Sequence, residues 1–297
     1  MRGFRAATAA PLALLAAIAI VACTPRGVSG TDDTKLDGNA DADADADSDA
    51  DTDTDTDTDT DTDTNYTYNV DCSAGPPVTG LWDQHPIAVA GGTITYQPYA
   101  FDAGVGDVLA AASGLTGPAD VELPVHGAIV LSRGYVPATN DGTVNFWFED
   151  GGGAMLAYGV DLGGMDPLLL EPGDEVAFMA TSVTEYFGTP EVTAITGFQV
   201  LSNDNPVHVI DVMSTGAEIT FADQGSHLVE VWGELVGGPV DCSRNCWDFD
   251  YNGYIVTYRS GSSFDELGQC KHYIGPVSQY SGAPQLDVVD YDWSWSY

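Results

Sequence analysis

The decapeptide VTEYFGTPEV, Val183 to Val192, returns 94 residues later as VSQYSGAPQL, Val277 to Leu286. In that register Val183 matches Val277, Thr184 Ser278, Glu185 Gln279, Tyr186 Tyr280, Gly188 Gly282, Pro190 Pro284, Glu191 Gln285 and Val192 Leu286. A looser echo lies upstream, where LPVHGAIV (Leu123 to Val130) faces VEVWGELV (Val229 to Val236). The order of the echoes is the same in both copies, so the chain must fold twice into one architecture of roughly 90 to 100 residues.

Each copy reads as β-structure. VELPVHGAIVLSRGYV is a long alternating strand bent at Gly127, and GTVNFWFED and GGGAMLAYGV supply two more. After the short connection PLLLEPGD, EVAFMATSVTEYFG and VTAITGFQVL form a hairpin whose turn is expected at GTPE. The second copy repeats the series with HLVEVWGELVG, CWDFDYNG, YIVTYRS, FDELGQ, CKHYIGPVSQYSG and LDVVDYDWSWSY. Five strands with an insert between the third and fourth describe an OB-fold barrel. The expected fold is therefore all-β: two tandem OB-fold-like five-stranded barrels after a disordered acidic linker.

The N-terminal part is of a different kind. Arg2 and Arg5 precede an apolar run from Ala6 to Ala22, which has the flanks and length of an export signal and not of a spanning helix. Its end, IVAC at Ile20 to Cys23, resembles the lipobox of bacterial lipoproteins. That resemblance implies cleavage before Cys23, lipidation of its sulfur and, with Thr24 following, export to the outer membrane; several acyl chains anchor stably. Next comes DADADADSDADTDTDTDTDTDTDT, Asp41 to Thr64, whose alternation has no apolar face and whose carboxylates repel one another. It is read as an extended spacer, and not as a calcium site, because it lacks the turning glycine and the closing bidentate acid.

The boundaries read from these features are residues 1–22 for the signal, 23–70 for the linker, 71–118 for an extension packed on the first barrel, 119–203 for the first OB-like domain and 204–297 for the second. Residues 66–297 carry 30 acidic against four basic side chains (Arg133, Arg244, Arg259 and Lys271). Such a body disfavours nucleic acid, because phosphate contact draws its affinity from Lys and Arg.

The segment from Leu170 to Val192, with Gly173-Asp174 ahead of the fourth strand and Tyr186, Gly188 and Glu191 in the turn, resembles the OB-fold modules attached to secreted bacterial nucleases. Tyr280, Gly282, Gln285 and Leu286 occupy the same turn in the second copy, where Gly268-Gln269 replaces Gly-Asp. The resemblance implies the OB fold and, as the alternative function, nucleic-acid binding associated with extracellular nuclease activity.

With Cys23 committed to lipid, Cys72, Cys242, Cys246 and Cys270 can pair in three ways. In an OB barrel the loop between strands one and two lies opposite the start of strand four, which favours Cys242 with Cys246 and Cys72 with Cys270. DFDYNG, Asp248 to Gly253, begins like a calcium loop, but its twelfth position is Arg259, so YNG is read as a type I′ hairpin turn.

The ligand-binding candidates are aromatic: Trp147, placed by pleat parity opposite Phe146 and Phe148, then Tyr158, Tyr186 and Tyr280, and Trp293 and Trp295 in the alternating C-terminal strand. The five histidines show no catalytic or metal-ligand spacing, so no catalytic residue, metal or cofactor is expected. The sequence thus points to a monomeric, lipid-anchored, surface-exposed protein of the outer membrane. Its membrane contact is the lipid anchor, and it acts as a non-catalytic binding or adhesion module for a polysaccharide or protein ligand.

Overall fold

The computed structural model describes residues 71–75, 87–89, 104–136, 142–289 and 294–297, with the side chains of 87–89 and 295 excepted. Cys23, the acidic tract and Trp293 lie outside the described residues, as does the Trp295 side chain.

Alternating apolar residues produce two barrels of one topology. In the first, β2 (Ala119–Arg133), β3 (Thr143–Asp150), β4 (Gly153–Asp161), β5 (Glu175–Tyr186) and β6 (Thr189–Ser202) close in the order β2-β3-β4-β6-β5. All pairs are antiparallel except β4 with β6. In the second, β8 (Leu228–Asp241), β9 (Asn245–Tyr251), β10 (Tyr254–Ser260), β11 (Cys270–Tyr280) and β12 (Ala283–Asp287) pair in the same cycle, with β10 parallel to β12 and β11 returning to β8. This is the OB-fold order in both halves, and the all-β reading of the sequence holds.

Gly127 bends β2 as expected: its φ of 79° coincides with a break in register between His126 and Ala128. The YNG turn is also as read, since Asn252 and Gly253 have φ of 53° and 82°, the signature of type I′.

The β5–β6 turn differs from the sequence reading. Its central residues are Phe187 and Gly188, with Tyr186 paired to Thr189 and Glu185 to Pro190, so the chain reverses earlier than GTPE implied. Two-residue turns that match strand twist need positive φ at both centres, and Phe187 (48°) with Gly188 (94°) supplies this; a proline, locked at negative φ, cannot. Ser281 and Gly282 do the same in the second barrel.

The first barrel is filled by Phe146, Phe148 and Phe178, the last two edge-to-face at 5.2 Å. The second is filled by Trp247, Phe249, Tyr251, Tyr258 and Tyr273. Its tyrosine hydroxyls find partners, Tyr273 donating to the Pro276 carbonyl at 2.8 Å and Tyr251 accepting from the Ile219 amide at 2.5 Å. Each core is completed by a helix ahead of the first strand. Val105, Val108 and Ala112 of α1 (Val105–Ala112) enter the first core, and Val212 of α2 (Val212–Thr215) enters the second.

The stretch 71–118, expected on the first barrel, is divided. α1 packs there, but β1 (Ile87–Val89) runs parallel to β7 (Val207–Asp211) beside β8, and Cys72 is bonded to Cys270 of the second barrel. The covalent tie and the strand pairing lie on that barrel, and periodicity in a short segment does not say which of two duplicated partners it will join. Both disulfides are formed as paired from the OB geometry, Cys242–Cys246 and Cys72–Cys270.

The barrels meet along an apolar seam. Leu131, Trp147, Ala154 and Leu156 on the outer face of the first pack against Val207, Val209, Leu228 and Ile274 of the second. Part of the outer face of strands two and three, where OB folds commonly hold ligands, is in the first barrel covered by the second: Trp147, Ala154 and Leu156 are buried there.

Candidate binding platform

The repeated hairpins converge. The rings of Tyr186 and Phe187 lie edge-to-face at 4.6 Å between centroids, and Phe187 meets Tyr280 of the other barrel, also at 4.6 Å. All three stand in solvent, 59%, 46% and 51% exposed. An apolar cluster built from two separate turns and left uncovered is the kind of surface that marks a ligand or partner site.

The surrounding backbone fixes the rings' relative position. Thr189, buried just past the first turn, donates its hydroxyl to the Gln279 carbonyl at 3.0 Å and accepts from the Gln279 amide at 3.2 Å. The φ of 94° at Gly188 favours glycine, and a Cβ there would push aside the amide end of the Gln279 side chain. Glu185 accepts from the Gly114 amide at 2.6 Å, bracing the hairpin against the end of α1. The clasp is asymmetric, because the echo of Thr189 is Ala283, which has no hydroxyl.

Two residues beyond Thr189 sits Glu191. Val192 points into the first core, so Glu191 points outward, beside Leu156 of the seam to which it is paired in register. Burial pushes its carboxyl up to about 7.

Tyr186 and Tyr280 thus come together, and Phe187, which the repeat does not mark because its echo is Ser281, joins them. Tyr158 is exposed on β4, and no ring contact described in the structure joins it to the platform. Trp147 requires a correction. Pleat parity does put it outside the barrel, opposite Phe146 and Phe148, but it is 4% exposed because the second barrel covers it. Trp147 therefore packs the seam and is not exposed at the surface.

The four basic side chains of the body are all engaged. Arg133 donates to the Pro167 carbonyl at 3.0 Å; Arg244 and Arg259 each reach Asp287 at 3.0 Å; Lys271 is buried against Asp265. Burial raises the Asp287 carboxyl, and the two guanidiniums pull it back down. A cleft of about 490 Å³ on the second barrel is lined by Asp71, Glu234, Asp250, Trp232 and Tyr251, a carboxylate-rich surface that repels phosphate.

No protein family matches the sequence, and no curated protein does. Among solved structures the chain is similar to the tetrameric p202 HIN2 at 7% identity, covering 63% of this chain and 97% of that one, with a TM-score of 0.31. It is also similar to an Ifi202 HINa domain in complex with 20bp dsDNA at 11% identity, covering 61% and 98%, with a TM-score of 0.32. A p204 HINb domain is matched at 10% identity over 61% of this chain and 98% of that one, with a TM-score of 0.30. At such scores these likenesses carry no weight for function.

Proposed function

We propose that this chain is a lipid-anchored surface protein of the outer membrane that binds an uncharged polysaccharide without catalysing its turnover. One observation carries the proposal: three exposed aromatic rings, contributed by both copies of a duplicated turn, form one contiguous platform. Aromatic faces stack on the C–H faces of sugar rings, and a rigid ring loses little conformational entropy on binding. The charge of the body and the engagement of its basic side chains support an uncharged ligand over a polyanion. Acylation at Cys23 supplies the anchor. A chain as long as Thr24 to Asn69 has a contour length of at most roughly 150 Å at about 3.3 Å per residue, enough for a module that captures ligand beyond the cell surface.

The test is an array of polysaccharides and of single- and double-stranded nucleic acids, screened with the full chain at two salt concentrations. Retention on uncharged glycans with little salt dependence, lost in the Phe187→Ser variant, is the expected result. Retention only on nucleic acid, weakening steeply with salt, replaces this reading with DNA or RNA binding. Capture of a protein with no glycan retained replaces it with an adhesion module.

A further inference from the structure

Beyond the platform, the seam between the barrels assembles a donor set of another kind. Glu149 follows Trp147 on the outward face of β3 and is 1% exposed. Its Oε2 lies 3.0 Å from Nδ1 of His227 and 3.7 Å from Nδ1 of His208, and the three donor atoms all fall within 4.8 Å of one another. The carboxylate belongs to the first barrel; His208 lies on β7 and His227 just ahead of β8, both on the second.

We propose that Glu149, His208 and His227 form a zinc-class metal site that bridges the two barrels. Two imidazole nitrogens and one carboxylate oxygen suit a borderline divalent ion and not calcium or magnesium, which take oxygen shells. Zinc held at about 2.0 to 2.1 Å by tetrahedral ligands separates neighbouring donors by about 3.3 Å, a value between the two contacts seen here. The two imidazole donors lie within 4.8 Å of each other, so closing the site also draws the His208 and His227 rings together.

The backbone around His227 is already fixed, its carbonyl accepting from the Val277 amide at 3.1 Å and its amide donating to Gln224 at 3.0 Å. Both imidazoles keep about a quarter of their surface in water, 24% for His208 and 23% for His227, which leaves a route of entry and an open fourth position for water. Glu149 stands 59 residues before His208 and 78 before His227 in the chain, so no local motif announces the set.

The test uses the full chain, stripped with a chelator and titrated with Co2+ and then with Zn2+. The acidic tract binds cations through oxygen, so total uptake says little, but Co2+ held by nitrogen in four-coordinate geometry absorbs strongly in the visible where an all-oxygen octahedral shell does not. One equivalent of strongly absorbing Co2+, displaced by Zn2+ and lost in both His208→Ala and His227→Ala, is expected. A weak oxygen-type spectrum alone, or a strong band that survives in both variants, overturns the site. Should His227→Ala fail to fold, the partly exposed His208→Ala carries the same comparison.

Discussion

Replacing Glu191 by Gln tests how far burial behind the platform disfavours its charged form. The carboxyl is buried beside the seam and pushed up to about 7 from an ordinary 4.5. A folded-state value above the unfolded one means that the native chain holds its proton more tightly, so unfolding releases protons between those limits. Stability is then undiminished below about pH 4.5 and falls as pH rises through about 7, where the native state must bury a charge. Taken in full, the shift is worth ~3 kcal/mol; screening by water at the edge of the seam reduces the expected effect to about 1–2 kcal/mol. Gln matches the neutral acid in shape and cannot ionise. Urea unfolding of wild type and Glu191→Gln at about pH 5 and about pH 8.5 therefore reports the linkage, with other titrating groups cancelling in the comparison. Equal stability in acid and a variant more stable than wild type in alkali is the expected pattern. A difference independent of pH, or a variant weakened in alkali, refutes the reasoning.

Three further substitutions probe the seam and the clasp. Trp147→Ala empties the seam at its largest side chain and is expected to cost about 3–5 kcal/mol, splitting the unfolding curve into two transitions as the barrels uncouple. Thr189→Ala, which copies its echo Ala283, leaves the Gln279 amide and carbonyl without their hydroxyl partner. It should cost about 1–3 kcal/mol and lower ligand affinity, read by calorimetry, without changing the far-ultraviolet spectrum. Replacing Cys72 and Cys270 together by Ala opens a loop with a sequence separation of 198 and is expected to cost about 3–5 kcal/mol in thermal unfolding. The corresponding Cys242, Cys246 pair closes a separation of 4 and should matter far less.

How much of this was legible in the sequence follows from the range of the interactions involved. The duplicated strands, the bend at Gly127 and the Asn252-Gly253 turn depend on alternation and on local φ requirements, which the residues themselves carry. The disulfides followed once the barrel topology was assumed. By contrast, Trp147 was rightly placed outside its barrel, yet what covers it is a face more than 50 residues away in sequence, formed by Val207, Val209 and Leu228. A comparison of repeats does not single out Phe187, because it emphasises what is shared, whereas the platform depends on a position where the copies differ, Phe187 against Ser281. The mismatch of Thr189 with Ala283 was a signal available in the sequence that the hairpins play unequal parts. Nothing local linked Glu149 with His208 and His227, because each becomes a neighbour only after two barrels have closed and docked.

Aromatic nuclear magnetic resonance of the full chain tests the meeting of the two repeated turns most directly. With centroids 4.6 Å apart, the Phe187 and Tyr280 rings should show mutual Overhauser contacts, and both should shift when a glycan retained on the array is added. Rings that show no mutual contact, or that stay unmoved while the glycan binds elsewhere, would contradict a shared platform.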